Sequence, residues 1–121
     1  MRLGRAILFV KDFEHMLEFY RKCFGLTPVA GQESPGWAEL DAGGVRVALH
    51  AIPSEIARRI ALETPARPRE ETPIKLVFVV PDVGAERARL VSLGVRMSEV
   101  RDWGGCDGVD PEGNVFQIAS A

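Results

Sequence analysis

ILFVKDFEHMLEFYRKCFGL, residues 7–26, and LVFVVPDVGAERARLVSLGV, residues 76–95, share one layout, and that repetition decides the fold. In each, an apolar run ends in an aspartate, Asp12 or Asp82, whose short carboxylate suits it to cap the first turn of a helix. A glycine, Gly25 or Gly94, then stands where that helix must stop. Phe13, Met16, Leu17, Tyr20 and Phe24 recur at helical spacing in the first copy. Val83, Ala85, Ala88, Leu90, Val91 and Leu93 give the second helix a broader apolar face. Both helices are expected to cover one side of a sheet.

The halves that follow also match. DAGGVRVAL, residues 41–49, aligns without a gap on DPEGNVFQI, residues 110–118, with Asp41 on Asp110 and Gly44 on Gly113. Both read as a turn that feeds a half-buried strand. Between the copies, RRIALETPARPREETP, residues 58–73, holds three of the eight prolines and many charges, the composition of a solvated connector. The chain therefore reads as one domain, 1–121, built of two β-α-β-β-β modules at about 1–57 and 74–121. The weakest strand expectations fall at 27–30, 95–100 and 103–107. A module of about 50 residues buries too little surface to stand alone. The modules must pair, either within the chain or across a homodimer.

Composition narrows the partners. Of 121 residues, 46% are hydrophobic and 26% charged, ordinary values for a globular chain, and the net charge of −2 comes from interspersed acids and bases. Nothing in that balance favours nucleic acid or an anionic membrane. No apolar run approaches a membrane span and Met1-Arg2-Leu3 leads straight into a strand pattern, so a cytoplasmic location is expected. The two cysteines, Cys23 and Cys106, lack metal-type spacing and are expected to be free thiols.

Three pieces in this order, FVKDFEHMLEFYRKCFGL, FVVPDV and DPEGN, resemble the vicinal-oxygen-chelate superfamily, which includes glyoxalase I, bleomycin-resistance proteins and extradiol dioxygenases. The resemblance covers nearly the whole chain. It implies an α+β fold whose two modules form curled mixed sheets around a concave, ligand-holding cavity. The strand and helix pattern alone also permits a ferredoxin-like arrangement of flat sheets.

Strand alternation assigns each side chain to a face. Ala6, Leu8 and Val10 are expected under the first helix, with Arg5, Ile7 and Phe9 on the opposite face. Val45, Val47 and Leu49 pack down while Arg46, Ala48 and His50 point the other way. In the second copy Ile74, Leu76, Phe78, Val80, Phe116 and Ile118 go under, leaving Lys75, Val77, Val79, Val115, Gln117 and Ala119. The resemblance implies metal ligands, His and Glu in the metal-using members, at positions that map to Arg5, Lys75, Ala48 and Gln117. Two cations, a methyl group and a neutral amide cannot replace that set. No metal and no cofactor is therefore expected at the inherited place. A displaced group of His50, Glu39 and Gln117 stays open as an alternative.

The candidate ligand-binding residues are thus Arg5, Ile7, Phe9, Trp37, Glu39, Arg46, Ala48, His50, Lys75, Val77 and Gln117, with Trp103 near the rim. Cations and aromatic rings together suit a small organic ligand, anionic or aromatic. The first expectation is a metal-free, homodimeric binding protein similar to the bleomycin-resistance branch. The alternative is a lyase- or isomerase-type enzyme with His50 or Glu39 as base and Arg5 or Lys75 facing an oxyanion. His15 is expected to face solvent, and Cys106 to be a loop thiol without function.

Overall fold

The computed structural model describes all 121 residues, and the chain divides into two compact units, Met1–Ala61 and Leu62–Ala121. The first unit runs β1 (Arg5–Val10), α1 (Phe13–Lys22), β2 (Thr27–Ser34), β3 (Trp37–Asp41), β4 (Arg46–Ala51) and a single-turn helix α2 (Ser54–Ala57). The second runs β5 (Leu76–Val79), α3 (Val83–Ser92), β6 (Arg96–Met97), β7 (Cys106–Val109) and β8 (Val115–Ala119). Each unit forms a four-stranded sheet of the same topology, β1-β4-β3-β2 and β5-β8-β7-β6. In both, the first and last strands pair in parallel and the remaining pairs are antiparallel.

Both helices begin as their sequences dictate. Asp12 Oδ1 accepts a hydrogen bond from the backbone N–H of His15, and Asp82 Oδ1 one from Ala85. Each satisfies a first-turn donor that the helix itself cannot. Gly25 and Gly94 take φ of +65° and +87° just past the last turns, where a side chain would be strained. Ten-residue helices are marginal alone in water, so packing holds them. Met16 and Tyr20 are the buried anchors of α1, which packs on β4, where Val47 and Leu49 are buried too. On α3 only Val83 and Leu90 are buried; Ala85, Ala88, Val91 and Leu93 are exposed, so its covered stripe is narrower than its composition suggests.

Other boundaries shift in instructive ways. β2 extends to Ser34 through a register irregularity between Pro28 and Glu33, while β6 shrinks to two residues. Cys106 opens β7 and is fully buried under the second unit's helix face, where a loop thiol was expected. Ile74 lies outside β5 and is exposed. The connector is not simply solvated either. Arg69 donates its backbone N–H to the Gly113 carbonyl and its Nε to the Glu112 carbonyl, Ala66 is buried, and an Arg96 guanidinium holds the Ala66 carbonyl.

That docking explains the divergent packing of the two turns. Asp41 accepts from Gly43 N–H, and Asp110 accepts from the N–H groups of Glu112 and Asn114 and from the Asn114 amide. The equivalent glycines, Gly44 and Gly113, both have positive φ, +101° and +87°. A Cβ at position 44 would meet open space, whereas one at 113 would overlap the Arg67 carbonyl oxygen. Gly44→Ala should therefore cost only the left-handed strain of about 1–2 kcal/mol, and Gly113→Ala should exceed it by about 1 kcal/mol or more. Urea midpoints of the two variants, compared at equal m, measure that difference.

Candidate functional site

In the first unit the register fixes three rows across the face opposite α1. Arg5 pairs with Arg46 and Arg46 with Asp41; Ile7 pairs with Ala48 and Ala48 with Glu39; Phe9 pairs with His50 and His50 with Trp37. Eight of the sequence-derived candidates thus share one sheet surface. Their chemistry is graded along the strands. One end holds two arginines beside Asp41, the middle is apolar around one buried acid, and the far end is a line of rings. The His50 ring lies 5.5 Å from Phe9, tilted 35°, and 5.4 Å from Trp37, edge-on at 80°. Phe9 is 61% exposed, an open aromatic surface and not a core residue. His50 is exposed, with the Phe9 and Trp37 rings on either side of it in the row.

Glu39 is 1% exposed, and Ala48 beside it is fully buried. A charge so desolvated needs partners. Arg46 Nη1 donates to Glu39 Oε1 at 3.0 Å and Arg5 Nε lies 3.5 Å from the same oxygen, while both arginine side chains stay half-exposed. Asp41 turns its own Oδ1 to Gly43 N–H in the adjoining turn.

The second unit repeats the design. Val77 pairs with Gln117 and Gln117 with Asp107, and Lys75 Nζ spans the strands to both Asp107 carboxylate oxygens at 3.2 Å. A cavity of about 250 Å³ opens beside this pair, lined by Arg69, Glu70, Thr72, Ile74, Lys75, Asp107 and Val115. Trp103 is 58% exposed, and its ring so closely covers Gly105 that a Cβ there would collide with it. Each unit therefore carries a cation bridged to an acid across its central strand, and a tryptophan toward the other end.

Asp107 was missed by sequence reasoning, and the reason is a single residue. Four residues, 42–45, separate the paired Asp41 and Arg46, but five, 110–114, separate the paired Val109 and Val115. A gapless match of DAGG to DPEG consequently puts Gly108, not Asp107, at the place of Glu39. Matching the turns with one insertion would have found it.

The donor set does not fit a divalent metal ion. Arg5 and Lys75 are each tied to a carboxylate, Ala48 has no donor atom, and Glu39 is held by two guanidiniums and so is not free to join His50 as a ligand. No three His, Cys, Asp or Glu side chains gather in a metal-binding group. Cys106 is no nucleophile in waiting. Burial pushes its thiol above the ordinary range, with the Arg87 charge opposing and Asp107 and Glu99 adding to the rise. Because the folded thiol ionises later than the unfolded one, any effect on stability is a loss as pH rises past the unfolded thiol's value of about 8.5. At pH 8, iodoacetamide should leave Cys106 unmodified in the native protein and label it after urea denaturation, as read by peptide mass. Native labelling at the denatured rate would contradict the buried placement.

Three solved structures show how widely this architecture is shared. SMU.1112c is 26% identical and matches with a TM-score of 0.75 over 98% of this chain and 97% of its own. TnmS3, an antibiotic-binding protein from Streptomyces sp. CB03234, is 21% identical, with a TM-score of 0.69 over 99% of this chain and 95% of its own. A lactoylglutathione lyase from Agrobacterium tumefaciens is 20% identical, with a TM-score of 0.70 over 99% and 93%. No curated protein matches the chain by sequence. The model of the Glyoxalase/Bleomycin resistance protein/Dioxygenase superfamily matches residues 2–118, so the two repeated sheets, the capped helices and the turn-strand ends are those of a member of that superfamily.

Proposed function

We propose that this chain is a metal-free small-molecule-binding protein of the superfamily, acting as a homodimer in the cytoplasm, whose open sheet faces form the ligand cavity. The observation that carries this reading is the face of the first unit. There half-exposed Arg5 and Arg46 flank buried Glu39, one strand step from the exposed Phe9 and His50 rings and the half-buried Trp37. A monomer has no reason to leave a ring row, Ile7, Val77 and Val79 open to water, whereas a ligand and a second copy give them cover. In the second unit Lys75, Val77 and Gln117 stand on the corresponding sheet face and Trp103 is exposed, and these are the residues proposed to meet a ligand there. That neither Cys23 nor Cys106 is in a disulfide supports the placement.

Catalysis of the lyase or isomerase kind needs a proton acceptor free beside a cation. Glu39 is the acid nearest the arginines, but it is held between them, which favours binding over chemistry.

A thermal-shift panel of aromatic, carboxylate and uncharged organic compounds, run beside Ni, Zn, Mn and Fe salts, tests the reading. Organic compounds alone should raise the melting temperature, since a ligand at 100 times its Kd adds about 2.7 kcal/mol of stability. Stabilisation by a metal salt alone would overturn it. Sedimentation equilibrium at micromolar concentration should give the mass of two chains, and a one-chain mass would remove the dimer.

A further inference from the structure

Resting on that reading, we infer that the ligand is an aryl-substituted carboxylate, a single molecule whose ring and charge are carried at a fixed separation by the first unit's sheet. The cationic and aromatic groups are not scattered over the face but sorted along it. Arg5 and Phe9 lie four residues apart on β1, and Arg46 and His50 four apart on β4, in one parallel register. At about 3.3 Å per residue the Cα rows are about 13 Å apart. The guanidiniums, however, lean toward the middle row to reach Glu39, which is two residues from Trp37 on β3. Positive charge and ring row therefore stand about 7 Å apart at their working ends. Between them lies exposed Ile7, with Ala48 buried beside it and the Glu39 carboxylate held by the two guanidiniums, so a linker meets an apolar surface.

The charge requirement follows from donor counting. Two guanidiniums carry five N–H donors each. Both turn to one oxygen, Glu39 Oε1, and both remain half-exposed, so most of the donors are left to an incoming anion. A carboxylate matches the fork of a guanidinium in a way an amide or alcohol does not. The ring requirement follows from exposure. Phe9 and His50 present their rings to solvent on adjacent strands, with Trp37 edge-on behind His50, a surface that favours an aromatic guest over a saturated one.

Calorimetric titration of the full chain with 3-phenylpropionate, its neutral amide 3-phenylpropanamide, and 3-cyclohexylpropionate tests both requirements. The aryl acid should bind about tenfold or more tightly than the amide. It should bind several-fold more tightly than the cyclohexyl acid. Arg46→Gln should abolish the preference over the amide, and Phe9→Leu, at an exposed position that folding does not need, should abolish the preference over the cyclohexyl acid. Equal binding of aryl acid and amide, or of aryl and cyclohexyl acids, would overturn the inference while leaving an organic ligand in place. Binding of none of the three, with other organic compounds still stabilising in the thermal panel, would also overturn it. If no organic compound of any kind binds, the inference falls together with the function on which it rests.

Discussion

The pleat of the parallel strand pair is the constraint on which everything else depends. β1 and β4 run side by side in one register, so the side chains that α1 must cover and the side chains left over are fixed together. Val10, Val47 and Leu49 go beneath Met16 and Tyr20. That choice, made by apolar burial, leaves Arg5, Arg46 and His50 no alternative but the other face. Shifting either strand by one residue would turn its arginine, Arg5 or Arg46, under a helix, a cost above what any single contact returns. The functional face is in this sense a by-product of the core.

On that face the buried acid organises the rest. Glu39 is sealed from water by its neighbours yet remains a good acceptor, and the two arginines answer it from different strands. Holding both guanidiniums toward one point reduces the freedom of two long side chains and keeps their unused donors facing outward. The second unit reaches the same solution with a lysine and an aspartate, more exposed and without a second cation. At the positions where the resemblance to the superfamily implies metal ligands, this chain carries ion-paired Arg5 and Lys75, the methyl group of Ala48 and the amide of Gln117. A guanidinium carries five N–H donors, so one that gives a single bond to a carboxylate keeps others for an anion.

Much of this was legible before any coordinates. The Asp-led helices, the glycine stops and the two-residue alternation all follow from local sequence, because caps and pleats are set by neighbouring residues. The parts that were not legible depend on longer-range fits. Asp107 was hidden by one extra residue in the 110–114 turn, which reverses parity upstream. The narrow buried stripe of α3 and the docking of Arg69 on the Gly113 turn depend on what lies nearby in space, which residue type alone does not reveal.

The sequence by itself determined the duplicated β-α-β-β-β plan and the face on which each strand candidate stands, since both rest on side-chain chemistry and short-range periodicity. Only the tertiary structure decided that Glu39 is buried between Arg5 and Arg46, that His50 stands in a row with Phe9 and Trp37, and that Lys75 is answered by Asp107. These are meetings between strands adjacent in the sheet but distant in the chain. Their physical basis is inter-strand register, which is set by the packing of the whole unit and is written in no single stretch of it.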